Sequence, residues 1–352
     1  MKKILSLFTL VFFFLSSSLL FGQIGGDNTY AVLDLTPSPR IAAMGGDFLT
    51  INDNDILLTY DNPGLINANL HNDLGVSFVN YYSGINYGLA SYARTFSNIG
   101  SFVGSMKYIN YGTFDGADAT GTRTGNFYSS EIVPNIGWGR QLDSLFSIGA
   151  NVKFIYASME SYTSYGLAVD VAGSYTSRDR SFTTSLILKN MGRQLKAYHS
   201  GNIEPLPFEI QIGIAKRLKH LPFRYSVLYN HLEKWNLRYE DPNAQQVDPI
   251  TGETIGQSGF EEFADNFMRH LVFGGELLIG KNIIVRGGYN YQRRQEMKIE
   301  SKPGTIGFSW GAEVRISKFH FSYARSTYHA AGSPNYIAVT TSLSDFFVKK
   351  SN

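Results

Sequence analysis

From Asp73 onward, apolar and polar residues alternate with a period of two, segment after segment along the chain. The clearest stretch runs from Phe146 to Tyr156. Phe146, Ile148, Ala150, Val152, Phe154 and Tyr156 share one face; Ser147, Gly149, Asn151 and Lys153 share the other. Tyr165, Leu167, Val169 and Val171 oppose Ser164, Gly166, Ala168 and Asp170 in the same way. So do Phe208, Ile210, Ile212 and Ile214 against Glu209, Gln211, Gly213 and Ala215. Near the end, Ile306, Phe308, Trp310, Ala312, Val314 and Ile316 oppose Gly307, Ser309, Gly311, Glu313 and Arg315. Successive side chains of a strand point to opposite sides, so each segment predicts a strand with one apolar and one polar face. Soluble antiparallel sheets alternate as well, and length separates the two cases. The segments run about 10 to 14 residues, against ~5–6 in soluble sheets and the ~9–11 that a tilted membrane strand needs. The polar faces are rich in Gly, Ser and Asn, as a lumen-facing surface is.

Fourteen such segments are predicted, roughly at 73–82, 86–96, 100–111, 127–141, 145–157, 163–176, 180–190, 207–218, 222–236, 268–280, 282–292, 304–317, 318–328 and 335–347. Short connections follow the even-numbered strands, while long ones (112–126, 191–206, 237–267 and 293–303) follow most odd-numbered strands. That asymmetry of short periplasmic turns and long outer loops belongs to outer-membrane barrels. The first outer connection, Ser83–Ile85, is short. Pro134 predicts an irregular or bulged stretch in the fourth strand. The expected fold is therefore all-β: a transmembrane antiparallel barrel of about fourteen strands over residues 73–352. Val152, expected to face lipid, should reject Arg, whereas Asn151, expected to face the lumen, should accept it better.

The chain before Asp73 does not alternate. Lys2 and Lys3 precede the apolar run Ile4–Leu20, which reads as a signal peptide over residues 1–22, cleaved to leave Gln23 at the new terminus. No later run approaches the ~18–20 apolar residues of a spanning helix, so any membrane crossing of the mature chain falls to strands. Residues 23–72 hold Pro37, Pro39, Gly45, Gly46 and the turn Asp61-Asn62-Pro63-Gly64, with short helical pieces expected near Ile41–Met44 and Ile56–Tyr60. This segment is expected to form a compact plug ahead of the barrel.

Composition narrows the function classes. The 31 Lys+Arg nearly balance 29 Asp+Glu, which removes a general attraction to nucleic acid. With no Cys, the chain has no disulfide scaffold, thiolate metal site or lipidated Cys. Asp47, Asp53, Asp55 and Asp61 lack the Gly and Glu of a calcium loop and are read as helix-capping and turn residues. The seven His show no metal-ligating pair; His320 and Ser322 share a strand face without an evident orienting acid. No metal, cofactor or catalytic residue is expected, and the chain is read as a non-enzyme.

Two constellations remain. Lys153, Asp170, Glu209, Arg217, Arg224, Glu276, Arg286, Glu313 and Arg315 fall on the presumed inner face. Charges are costly in lipid, so they should face inward, as a polar path or as a paired network that fills the lumen and holds the plug together with Arg40. The longest loop ends in Phe260, Phe263 and Phe267, spaced along one helical face, with Trp235 just ahead of the loop. These four are candidate contacts for a partner; the other reading folds the stripe back on the barrel.

Arg40-Ile41-Ala42-Ala43-Met44-Gly45-Gly46, an Asp/Asn-rich spacer and Asn62-Pro63-Gly64-Leu65 resemble the opening of FadL-like outer-membrane proteins. Leu188-Lys189-Asn190-Met191-Gly192, then Leu206-Pro207-Phe208 and Lys216-Arg217-Leu218, resemble the PorV/PorQ family within that group. Gly25 to Tyr30 and Leu35-Thr36-Pro37-Ser38-Pro39-Arg40 look most like its PorQ branch. The resemblance implies a fourteen-stranded outer-membrane barrel in the attachment complex of the type IX secretion system. It implies a surface partner similar to PorZ, with the sortase PorU and the shuttle PorV nearby. Phe346-Phe347 followed by Val348 to Asn352 departs from barrels that end on an aromatic residue. The wider FadL resemblance implies a different class, a transporter of long-chain hydrophobic compounds; an apolar lumen pocket would favour it, and the charged inner positions oppose it.

Overall fold

A computed structural model describes residues 28–47, 49–199, 203–238, 259–297, 304–328 and 332–347. The expected signal segment 1–22 and the closing Val348–Asn352 lie outside the described residues. Fourteen antiparallel strands close into one barrel, each hydrogen-bonded to its chain neighbours, with the first pairing the last. They are β1 Asp73–Asn80, β2 Asn86–Phe96, β3 Gly100–Ala117, β4 Arg123–Gln141, β5 Phe146–Met159, β6 Tyr162–Thr176 and β7 Phe182–Lys196. The second half is β8 Glu209–Arg217, β9 Phe223–Tyr229, β10 Leu271–Ile279, β11 Ile283–Asn290, β12 Phe308–Ile316, β13 Phe319–Ser326 and β14 Asn335–Ser342. Closure leaves no unpaired edge within the wall, the condition for strands to cross lipid. Among the described residues no helix is long and apolar enough to cross a membrane.

The alternation resolves as an outward apolar face and an inward buried one. Phe146, Ile148, Val152 and Phe154 are exposed on the outside, while Gly149, Asn151 and Lys153 are buried inside. Aromatic pairs mark both rims of the outer surface. Phe96 meets Phe102, and Phe146 meets Tyr175, at the end that carries the short turns. Tyr289 meets Phe308, and Tyr156 stacks on Tyr165, at the loop end. Two aromatic girdles around an apolar band are the signature of a barrel solvated by lipid.

Several strand ends differ from the expected ones. The 112–126 stretch is mostly strand, because β3 and β4 run on as a hairpin past the end of β2. Its turn is closed by Asp118, whose carboxylate accepts from the Thr120 and Thr122 amides. β7 likewise continues to Lys196. β9 stops at Tyr229, well short of residue 236; the Asn230 amide still bonds the His270 carbonyl, and His231, at φ 54°, then turns the chain out of the ladder. A helix, Tyr291–Met297, occupies the start of the expected 293–303 loop. β14 ends at Ser342, and a single helical turn covers Ser344–Phe347. Pro134 lies in the ladder with no register shift. The shifts fall instead between Asn110 and Thr113 and between Gly116 and Ala117 on β3, and at Tyr165/Gly166 and Val169/Val171 between β6 and β7.

The described residues of 29–72 form short helical pieces joined by turns, packed against the inner face of the wall. Helix α1 spans Pro39–Ala43; Ser38 caps it by accepting from the Ile41 amide, and Pro39 stands at its first position, where no amide is needed. Single 3₁₀ turns follow at Ile56–Leu58, Pro63–Leu65 and Ala68–Leu70, capped by Asp55, Asn62 and Asn67. The backbone comes so close to the wall that inward-facing glycines are required. A Cβ at Gly149 would lie 2.0 Å from the Pro63 carbonyl oxygen, and one at Gly288 would lie 2.2 Å from the Met44 carbonyl carbon.

Candidate functional site

The densest polar chemistry lies where this segment meets β9–β12. Arg40 of α1 points its guanidinium at the wall. Its Nε and Nη2 donate to Glu276 at 2.8 and 3.0 Å, and its Nη1 and Nη2 donate to Asp53 at 2.7 Å each. One planar guanidinium thus holds two carboxylates in paired bonds, a geometry that a Lys ammonium lacks. Arg224 of β9 bridges the same two acids, at 2.8 Å from Asp53 and 3.0 Å from Glu276. Arg286 of β11 donates to Glu276 at 2.8 Å and to Glu313 at 2.5 Å, and Arg315 donates to Glu313 at 2.9 Å. The ladder register makes this possible, since Arg224, Glu276 and Arg286 stand directly opposite one another across β9, β10 and β11.

Burial works to raise the Asp53 carboxyl, but the guanidinium groups of Arg40 and Arg224 overcome it and hold the acid well below the carboxylate range. Burial also works against the charge on Arg40, and Asp53 and Glu276 more than restore it. Asp53, expected as a turn residue, is therefore an ion-pair partner. Asp55 does cap, accepting from the Leu57 amide. Asp47, at φ 80° in the bend after α1, accepts from Asn230, and Asp61, in the turn before Asn62, accepts from Thr36 at 3.3 Å; both keep turn positions and neither caps a helix.

Lys153 and Asp170 form a separate, fully buried pair at 2.6 Å on β5 and β6. Asn190 completes it: its amide donates to Asp170 at 2.8 Å and its side-chain oxygen accepts from Lys153 at 3.3 Å. Asn190 has φ 56°, the bulge position opposite Asp170. Gly192 follows, where a Cβ would lie 1.9 Å from the Leu167 oxygen. The Leu188–Gly192 motif thus marks a bulge that turns a backbone amide onto a buried acid. Asn151 does not offer the free lumen surface expected of it. It is fully buried and donates to the carbonyls of Thr59 and Tyr60, so Arg has no room there. The alternation did not point out Lys107 of β3, buried against the segment, whose ammonium donates to the Val32 and Leu35 carbonyls. Tyr60 lies between Lys107 and Lys153, its ring centroid 5.1 and 4.9 Å from the two ammonium groups.

Of the other inner-face charges, Glu209 is buried on β8 and accepts from the His231 amide, while Arg217 is exposed at the turn end. A polar cavity of about 330 Å³ opens at the turn end beside the Arg40 cluster; Asp53, Arg315, His320 and Ser322 are among the residues lining it. His320 lies 4.0 Å from Glu313, but that acid is already held by Arg286 and Arg315. Among the described residues no hydrogen bond joins His320 to Ser322, and no group of acids and histidines gathers as for a metal. The upper lumen is apolar but filled: Tyr30, Val32 and Leu33 of the segment pack against Val79, Tyr87, Ile109, Val133 and Ile155 of the wall.

Trp235, Phe260, Phe263 and Phe267 come together at the loop end. Helix α2, Gly259–Arg269, stacks Phe263 on Phe267 and brings Phe263 to Trp235. His270, buried, lies flat on Tyr229 at 4.7 Å and against Trp235 at 5.6 Å. Phe267 packs on Tyr229, which shares the outward face of β9 with Val227, so the stripe meets the outer wall there.

No protein-family model matches this chain, and no curated protein does. Among solved structures it is similar to the "TodX monoaromatic hydrocarbon channel deltaS2 mutant", with 12% identity, TM-score 0.50, and coverage of 88% of this chain and 98% of the channel. The Ralstonia pickettii toluene transporter TbuX follows at 10% identity and TM-score 0.48, covering 86% of this chain and 97% of its own. A Pseudomonas aeruginosa FadL homologue stands at 9% identity and TM-score 0.48, covering 86% and 98%. At such identities the likeness is one of fold alone, a closed antiparallel barrel.

Proposed function

We propose that this protein is a non-conducting outer-membrane anchor whose barrel holds a partner at the cell surface. The observation that carries this reading is the occupied lumen. The segment 29–72 fills the upper lumen with apolar side chains and is tied to the wall below by the Arg40 cluster. On this reading the segment works as a plug, and the barrel is a platform. The resemblance to the PorV/PorQ family supplies the partner class, a surface protein similar to PorZ in a type IX attachment complex with PorU and PorV. The projecting β3–β4 hairpin, with Phe114 stacked on Phe127 and Tyr128 exposed, is one loop-end surface that such a partner could grip.

A second reading is favoured by the fold likeness, since the similar channel is titled a monoaromatic hydrocarbon channel. On that reading the chain passes hydrophobic compounds, and the segment must shift to open a path through the apolar upper lumen.

Two measurements separate these readings. Tagged full-length protein, solubilised from outer membrane in mild detergent, should retain a surface protein through purification. The same protein in planar bilayers should show no steady conductance, and cells carrying it should take up toluene or long-chain fatty acid no faster than cells lacking it. Uptake that depends on the protein, with no partner retained, would replace the anchor by the transporter.

A further inference from the structure

The wall of this barrel is uneven in height. β9 has 7 residues, and β8 and β10 on either side have 9 each. At ~3.4 Å per residue and a tilt near 40°, 7 residues rise about 18 Å and the 8 or 9 of the other strands from β8 to β14 about 21 to 23 Å, so this side of the wall falls below the ~25 Å apolar band of an outer-membrane barrel and β9 is its lowest point. β7, with 15 residues, clears that band easily. Above the low point stands α2, set against the loop end of β9 and β10. With side chains a helix is ~10–12 Å across, enough to cover the missing height.

The chemistry of α2 fits that place. Phe260, Phe263, Phe267, Ala264 and Met268 form one arc of the helix; Glu261, Glu262, Asp265, Asn266 and Arg269 form the other. Phe260 is 79% exposed, Phe263 54%, Phe267 39% and Trp235 50%. Leu232, three residues before the Trp in the chain, is exposed, and Lys234 precedes the Trp. The polar arc is tied down. Asp265 accepts from Arg269 at 2.9 Å and from the Tyr291 hydroxyl at 2.8 Å; Asn266 accepts from the Leu237 amide and donates to the Trp235 carbonyl. With that arc held, the aromatic arc stays turned outward. It is continuous with the lipid-facing wall through Phe267 on Tyr229, above Val227 and Phe273. Aromatic side chains with a neighbouring Lys are the residues that settle at a membrane–water interface.

We infer that α2 and Trp235 form an interfacial membrane anchor, which completes the apolar band above β9 and seats in the outer-leaflet lipid. The inference is independent of whether the barrel anchors a partner or transports. Its occupant is lipid because the patch extends a surface that lipid already covers.

The chain contains no Cys, so single labelling sites can be introduced cleanly. F260C and F263C would carry a nitroxide in full-length protein in proteoliposomes, with F273C as the wall reference and Y128C as the aqueous reference. Collision with oxygen should dominate at F260C and F263C, as at F273C, and collision with a water-soluble nickel chelate should be lost. Chelate-dominated collision, as at Y128C, would overturn the inference. So would a chelate signal that disappears only when outer-surface proteins are added, since the patch would then belong to a protein partner. A label that perturbs folding is bypassed by W138F/W310F, which leaves Trp235 as the sole Trp; brominated lipid should quench its fluorescence, and quenching by aqueous iodide instead would overturn the inference equally.

Discussion

The two halves of this barrel are held together differently. From β3 to β7 the strands run 14 to 19 residues, and long backbone ladders join them. From β8 to β14 they run 7 to 9. The tall side has one buried ion pair, Lys153–Asp170, among the charges expected at the inner face; the short side has the Arg40–Asp53–Glu276–Arg224–Arg286–Glu313 cluster and helices at its loop end. Where the wall gives up ladder bonds, charge-assisted side-chain bonds tie strands to one another and to the lumen segment. A barrel of uniform topology need not have uniform cohesion.

The largest effect should follow loss of Arg40. R40M leaves Asp53 with Arg224 alone and Glu276 with Arg224 and Arg286, and cuts the tie from the segment to the wall, at a cost of about 3 kcal/mol. Refolding into lipid, read by heat-resistant migration and urea titration, should show that loss. K153M/D170L on the tall side removes both partners together and should cost far less, since replacing a whole buried pair with apolar groups is close to neutral. Equal losses in the two variants would erase the contrast between the halves.

V152R comes next. Val152 is exposed on the outer wall in mid-strand, and Arg there should cost ~2–4 kcal/mol near the bilayer midplane. N151R should now be at least as harmful, because it displaces the bonds that Asn151 makes to Thr59 and Tyr60. A well-folded N151R in the same urea titration would mean that the segment is not seated against β5.

A smaller effect should be seen in pH dependence, with opposite signs at the two ends of the short side. Asp53 titrates well below its ordinary 3.8 because Arg40 and Arg224 outweigh its burial. Its contribution is complete above that value and is lost as pH falls toward the folded value. His231 at the loop end is raised from 6.5 to about 9, burial being outweighed by Glu233 and Glu209. Its contribution is complete below 6.5 and is lost as pH rises through about 9. D53N should flatten the acid limb of the stability profile and H231Q the alkaline limb. Least of all, R123A at the tip of the β3–β4 hairpin breaks an exposed pair with Asp115 and should leave the unfolding midpoint unchanged.

The period-two pattern determined the strand count, the direction each strand faces and the inward placement of Lys153, Asp170, Glu276, Arg286 and Glu313, because alternation in a closed sheet leaves one face for lipid and one for the lumen. The 3.6-residue spacing likewise showed that Phe260, Phe263 and Phe267 share a face. Tertiary structure alone decided who meets whom. Asp53 looked like a turn residue because nothing local links it to Arg224, 171 positions away. Lys107 sits in an ordinary alternating strand, and its partners are backbone carbonyls of the segment, which carry no sequence signature. Strand height was also hidden: the Asn230 amide still bonds His270 in the β9–β10 register, and the chain leaves the ladder only at His231, where φ is 54°. Periodicity reports the face on which a side chain lies; the neighbour across the lumen, and the point where a wall stops, are set by register and by the chain packed inside.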